Sequence, residues 1–381
     1  MPVAAVLFMC LFASQSGMLV LSPTLPDVAA ELGVSTAAAG QLRSVSGLIG
    51  GLVALGLAVA PRRPGLRAML SAGALLLVAG AVASAAAPGF ALLAAAQAVV
   101  GAGIGVLVAV GIAAAGAWSE PERRARTLAW AIAGMPAAWI AGMPLVGLVG
   151  DWRAAWLAVP ALAGAVALGM LLTRPADPPT ARTGDAIGAW RRPDVARFAA
   201  GELLANAAWG SVLTYVGALL LSSYEISTRT VALALAMTAA AMLPGTFAAG
   251  RRKAAPTAEL LVGLTLFQAG AVVVLGALRA DIALTLAVLA AMAYVNGRRS
   301  VVAGGLGMDA APEDPVAVMS VRAAANQFGY LVGAAAGGVA LAAGGFAALG
   351  VTLAAMFAAS TLAHTPALVS VPRQTPEESP A

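Results

Sequence analysis

Apolar blocks of about twenty residues, the length a helix needs to cross a ~30 Å hydrocarbon core, recur from Val3 to Leu362 with only short polar interruptions. Apolar residues are 61% of the 381 and charged residues 10%, with a mean hydropathy of +0.90. A soluble domain would carry about 25% charge. Backbone polar groups in lipid must be satisfied within one helix or in a closed barrel, and the ten-residue alternation typical of barrel strands is absent. The chain is expected to be an all-α, multi-pass membrane protein.

Charged and Pro-containing interruptions divide it into twelve blocks: 3–28, 37–60, 68–86, 89–116, 126–149, 153–173, 195–222, 228–249, 257–278, 282–305, 316–342 and 346–364. Fourteen basic residues fall in even-numbered interruptions (Arg62, Arg63, Arg67, Arg123, Arg124, Arg126, Arg174, Arg182, Arg191, Arg192, Arg197, Arg251, Arg252, Lys253) against four in odd ones (Arg43, Arg153, Arg229, Arg279). Positive charge marks the cytoplasmic side, so both termini are expected there. The one long polar stretch, 174–194, is Pro-rich and charged and reads as a linker. It separates two bundles of six helices, 1–173 and 195–365, followed by a disordered tail, 366–381.

Several functions are excluded by what the sequence lacks. One cysteine, Cys10, and one histidine, His364, leave no Cys/His metal site, and no nucleophile–base pair can be assembled for an enzyme. Gly101-Ala102-Gly103-Ile104-Gly105 puts Val106 where a dinucleotide fingerprint needs its third glycine, and no phosphate-binding GxxxxGK[ST] loop occurs. No cofactor is expected. The net charge of +5 belongs to arginines at the lipid surface rather than to a nucleic-acid site. Met1-Pro2-Val3 has no basic leader, and no cleavage pattern follows the first apolar run, so a signal peptide is not expected.

Ionisable residues inside spanning helices cost about 2.5–3.5 kcal/mol on insertion scales and are functional candidates by default. They are Asp27, Arg43, Glu202, Arg298, Arg299 and Arg322. Asp27 and Arg322 fall near helix ends, where capping or snorkelling accounts for them. Arg43, about six residues into the second block, has Asp27 as a candidate partner on the same side. Glu202, Asn206 and Trp209 fall at i, i+4, i+7 on one stripe, and Tyr294 and Arg298 share another. Glu202 and Arg298, each about seven residues from the same boundary, are expected to pair, with Arg299 as the alternative partner. Gly329, Gly333 and Gly337, at i, i+4, i+8, make a smooth groove for a neighbouring helix, as do Gly101 with Gly105 and Gly134 with Gly142. Pro136 and Pro144 are expected to bend the fifth block.

Specific stretches resemble the major facilitator superfamily, most nearly its twelve-helix drug:proton antiporter branch and the bacterial sugar- and nucleoside-efflux permeases. They are the run from Leu21-Ser22-Pro23 to Leu32-Gly33-Val34-Ser35, then Gly134, Gly142, Pro144 and Gly147 followed by Trp152-Arg153 and Trp156, and Asn326-Gln327-Phe328-Gly329 with Gly333, Gly337 and Gly338. The resemblance implies a secondary transporter of two pseudo-symmetric six-helix halves in a bacterial inner membrane. Such a protein exports a small organic solute by alternating access coupled to protons, and is expected to act as a monomer. It implies a cavity lined by helices one, four, seven and ten, placing Gln15, with Ser14, Ser16 and Met18, beside Gln97, Glu202 and Tyr294. It places the fifth-helix motif between the halves. Arginine in excess over deep carboxylate favours an anionic or hydroxyl-rich solute, and Trp130 and Trp139 offer rings to stack it.

The sequence departs from the family pattern at two points. Arg62 stands where the loop after helix two carries an acid, and Gln97 where helix four carries an arginine linked with proton coupling. Uptake or exchange by the same fold, or a transporter-like sensor or accessory protein without proton coupling, are the alternatives.

Overall fold

The structure, a computed structural model, describes residues 2–34, 36–60, 62–174, 177, 180–181, 192–224, 226–250, 257–310 and 315–365. Most of the expected linker, the tail 366–381, Arg182, Arg191 and the basic run 251–253 lie outside these residues. Among the described residues ten stretches are long and apolar enough to span a membrane. The last of them, Val318–His364, holds two crossings, and Ile282–Ala310, whose hydropathy is lowered by Asn296, Arg298 and Arg299, adds one more. Counted this way, the described residues hold twelve crossings. The helix Pro315–His364 turns back on itself at Gly344 and Gly345. Gly345 has φ +63, a left-handed conformation open to glycine at little cost.

Three other crossings are broken. The first runs Val3–Leu19 then Leu21–Glu31, its membrane span ending at Leu25, and the eighth runs Thr228–Ala240 then Met242–Gly250. The sixth runs Trp152–Trp156 and Leu162–Leu172 around a π turn, Leu157–Ala161, that contains Pro160. The fifth, Arg124–Val149, stays helical through Pro136 and Pro144. Polar side chains start several helices: Asp151 accepts from the Ala154 N–H at 2.6 Å, Ser227 from Thr230 at 3.2 Å and Thr257 from Leu260 at 3.3 Å. A two-residue antiparallel bridge joins Arg62–Arg63 to Thr180–Ala181.

Small residues set the helix spacing. In the second half, Gly329, Gly333 and Gly337 on the eleventh crossing lie against the seventh, Pro193–Tyr224, facing Leu203, Ala207 and Ser211. A methyl group on Gly333 would collide with the Ala207 carbonyl. In the first half, Gly101 and Gly105 of the fourth crossing, Phe90–Ala117, rest on the backbone of Ser46 and Gly50 in the second, Thr36–Val59. Odd crossings run away from the face that carries the N-terminus and the Arg123–Arg126 loop; we call this the basic face. Near it, Val301, Val318, Met319, Ala323 and Ala324 of the second half join the apolar core of the first.

On the opposite face one clamp ties three crossings. Trp152 Nε1 donates to Glu31 Oε2 at 2.6 Å, and Arg153 donates to Glu31 Oε1 at 2.9 Å and to the Ala87 carbonyl at 2.6 Å. The hydrogen bond from Trp152, and then that from Arg153, hold the Glu31 carboxyl below the ordinary glutamate value.

Two outcomes are expected. Gly333→Ala should lower stability by about 1–3 kcal/mol, the usual cost of overpacking, in thermal melts of the purified protein. Gly263→Ala, which opens into empty space, should melt like the parent, and equal melting of the two variants would contradict the packing account. The contribution of Glu31 is complete above its unfolded value, roughly pH 4.3, and is lost as pH falls through its lower folded value. The Trp152 contribution to fluorescence, taken as the difference from Trp152→Phe, should therefore change only in acid, and Glu31→Gln should flatten that titration.

Candidate functional site

A cavity lies between the halves, lined by Gln15, Ile112, Ile132 and Trp139 on one side and by Asn206, Trp209, Asn296 and Arg322 on the other. Helical geometry selects these side chains. On the tenth crossing the lining residues are Leu289, Ala293, Asn296 and Ser300, and on the eleventh Arg322, Asn326 and Tyr330, spacings of three or four that share one face. Most of the wall is apolar, with a few fixed polar groups, as in small-molecule sites generally. Trp139 Nε1 donates to Gln15 Oε1 at 3.3 Å, and Asn206 Nδ2 donates to Asn326 Oδ1 at 2.7 Å.

Behind the second-half wall lies a buried ion cluster. Glu202, with no exposed side-chain surface, accepts from Arg299 Nη2 at 2.5 Å on one oxygen and from Arg322 Nε at 2.7 Å on the other. Arg299 Nε also donates to Thr265 Oγ1 at 3.1 Å, and Arg322 Nη2 to the Ser300 carbonyl at 3.1 Å. The cluster crosslinks the seventh, ninth, tenth and eleventh crossings. Two guanidiniums against one carboxylate leave one positive charge in excess, and Arg322 carries it to the cavity wall. Between the cavity and the basic face the halves meet: Trp130 packs edge-on against Phe247 with ring centroids 5.0 Å apart. In the same zone Gly304 lies beside Leu128, and Gly116 beside Met308.

Comparison with known proteins agrees with this architecture. The Major Facilitator Superfamily profile matches residues 7–313. The chain belongs to the major facilitator superfamily. A comparison with curated protein sequences gives no match. Among solved structures it is similar to the human organic anion transporter MFSD10 (TETRAN), with TM-score 0.79 and 15% identity over 96% of this chain and 100% of that one. It is also similar to FucP, a transporter of the superfamily in the outward conformation, with TM-score 0.72 and 13% identity over 96% of this chain and 98% of the other. At these identities the likeness shows the fold. A superfamily member is a secondary transporter and not an enzyme.

Within this superfamily architecture the sequence expectations divide. Gln15, Asn206, Trp209 and Trp139 line the cavity. Glu202 pairs with Arg299 and Arg322, not with Arg298, whose Nε is buried without a hydrogen-bond partner among the described residues. Adjacent residues on a helix point about 100° apart, and that step decides between Arg298 and Arg299. Tyr294 packs into an apolar cluster with Leu261 and Val302 instead of the cavity, because it lies one residue off the lining face. Gln97 is buried and donates to Ser84 Oγ at 2.9 Å, tying the fourth crossing to the third, Leu66–Ala86. Arg43 does not pair with Asp27, which is exposed. Its guanidinium donates to the Met18 carbonyl and to Ser22 Oγ, both at 2.7 Å, at the break in the first crossing. Gly134 and Gly142 face Phe8 and Leu19 of their own half, not the second half. The other face of the fifth crossing reaches the interface, through Trp130 and Pro136, and Pro144 is half-buried.

Three residues were missed. Arg322 reads as a helix-end residue in sequence because it stands six residues from the start of its apolar block at 316. Asn326 is absorbed into a glycine motif, although it stands one turn from Arg322 on the same face. Thr265 carries no sequence signal. Glu202→Gln should cost about 3–5 kcal/mol, the penalty for breaking a buried ion pair, whereas Arg298→Gln should change stability little. Denaturant unfolding followed by fluorescence compares them, and equal stability of Glu202→Gln and the parent would contradict the assigned cluster.

Proposed function

We propose that this chain exports a small organic solute bearing an anionic group across a bacterial plasma membrane, as a monomer working by alternating access and coupled to protons as in the drug:proton antiporter branch. The supporting observation is the cavity between the halves, closed off toward the basic face and edged by the unbalanced charge of Arg322. An anion there gains a partly desolvated guanidinium, and its own charge balances the cluster. The name of MFSD10 as an organic anion transporter points to the same chemistry. The arginine asymmetry makes the basic face cytoplasmic. With the inner side packed shut, the cavity stands ready to exchange with the outside once the opposite faces part.

One observation favours a second reading, uptake. A proton on Glu202 would leave Arg299 and Arg322 buried with no counterion, unless an anion arrives at the same time. Proton and anion then load together, which is symport. Counterflow in right-side-out proteoliposomes decides, with labelled organic anions and an imposed pH gradient. Acid outside should drive the anion out under the export reading and drive accumulation under the uptake reading. Flux of organic cations with none of anions would reject both. Orientation is tested in a Cys10→Ala background. An impermeant thiol reagent should label Gly33→Cys and Ala280→Cys from outside but not Thr257→Cys, and the reverse pattern would invert the assignment.

A further inference from the structure

Two amides that line the cavity, one on each half, are held in a single orientation. Trp139 Nε1 is only a donor, so the Gln15 atom it meets at 3.3 Å must be the amide oxygen. The Gln15 NH₂ is left without a protein partner among the described residues. On the other half, Asn206 Nδ2 donates to the Glu202 backbone carbonyl at 2.8 Å, an acceptor only. That bond fixes which Asn206 atom is nitrogen, and the same nitrogen donates to Asn326 Oδ1 at 2.7 Å. The Asn326 NH₂ is therefore also left for the cavity. It stands one helical turn from Arg322, whose Nη1 makes no hydrogen bond among the described residues. The rest of the wall is mainly aromatic and apolar, with Trp139, Trp209 and Met135, and includes the polar groups of Thr238, Asn296 and Tyr330.

We infer that the cavity selects an organic acid with an acceptor group at each end of a flat apolar body, its carboxylate on Arg322 and Asn326 and its second acceptor on the Gln15 NH₂. Amines are refused, since a cation would meet donors at both ends and the charge of Arg322 besides. A neutral amide in place of the carboxylate leaves the guanidinium uncompensated. Gln15 and Asn326 are thus specificity-determining residues, and Trp139 and Asn206 are the positioning residues that aim them. The inference rests on the reading of this cavity as the substrate site, but it concerns binding and can be tested without transport.

The test uses the full chain in lipid nanodiscs with terephthalate, benzoate, terephthalamide and benzylamine as probes, titrated by quenching of intrinsic tryptophan fluorescence. Terephthalate should bind about tenfold more tightly than benzoate, one charge-assisted hydrogen bond's difference. Terephthalamide and benzylamine should bind at least tenfold more weakly than benzoate. Gln15→Met, of similar shape but without the donor, should erase the advantage of terephthalate over benzoate. Asn326→Asp should weaken both acids. Thermal shifts with each probe give a second readout should one variant be poorly folded. Terephthalate no tighter than benzoate, equal binding of the neutral diamide, tightest binding of benzylamine, or an undiminished terephthalate advantage in Gln15→Met would each overturn the inference, as would no binding of terephthalate at millimolar concentration. Binding that follows the expected order with no counterflow of any acid would count against the transport reading alone. Counterflow of an anion that ignores Gln15 and Asn326 would count against the inference alone.

Discussion

The carboxylate of Glu202, enclosed between Arg299 and Arg322, is the interaction on which the second half of the molecule depends. Three ionised groups removed from water are expensive, and only short, well-directed hydrogen bonds offset that cost. Here both carboxylate oxygens are used, and each arginine spends a further N–H on a neighbouring helix. Four crossings are held in one register as a result. The cluster is odd in charge. Under the proposed function, a structural crosslink and the wall that receives an anion are the same set of atoms. Removing the carboxylate would loosen the helices and double the uncompensated charge, while adding an anion at the cavity leaves the helices tied.

The first half is organised differently. Its helices are brought together by the absence of side chains at Gly101, Gly105 and Gly134, where a methyl group would strike the backbone of Ser46, Gly50 or Phe8. Dispersion and close backbone approach replace the hydrophobic effect inside a bilayer. Gln97, in a position the family pattern gives to an arginine, illustrates the contrast: it ends in a neutral hydrogen bond to Ser84. Close backbone packing at glycines serves both halves, and the buried carboxylate–guanidinium cluster is a feature of the second. The cavity has its cationic edge on the eleventh crossing, with the amide of Gln15 and the indole of Trp139 opposite.

The helices were legible because lipid imposes a length and a composition on every crossing, and those survive in sequence without knowledge of contacts. Block boundaries fall within a few residues of the helices, even at the break between 342 and 346 where two glycines reverse the chain. Pairings were legible only in part. Spacing placed Glu202, Asn206 and Trp209 on one stripe, but it could not choose between Arg298 and Arg299, because that choice depends on the rotation of one helix against another. Arg43 and Asp27 share a depth and opposite charges, yet depth is one coordinate of three. The carbonyl freed at the break in the first crossing lies closer to the guanidinium than the carboxylate does, and the break is a tertiary feature. Arg322 illustrates the same limit, since its place against Glu202 is set by the packing of the seventh and eleventh crossings and not by its position along its own helix.

The departure at Arg62 has a structural answer on the basic face. The carboxylate missing from the loop between the second and third crossings is supplied from the linker. Asp177 Oδ2 accepts from the Arg67 backbone N–H at 2.8 Å, at the start of the third crossing, where an anion meets both an unpaired donor and the positive end of the helix. The Arg67 side chain completes the contact in the other direction, donating to the Leu171 and Leu172 carbonyls at 2.9 and 3.1 Å, at the negative end of the sixth crossing. The short bridge between Arg62–Arg63 and Thr180–Ala181 adds backbone hydrogen bonds to the same junction. Charge thus meets complementary helix ends on both sides of the contact, and all of it lies within the first half and the segment leaving it. A contact that closes within one half can stiffen that half as a rigid body without favouring either side of the cavity. Under the proposed alternating access, the bias between inward and outward states falls to the seam near the basic face, where Trp130 meets Phe247 and where Val318 and Met319 join the core of the first half.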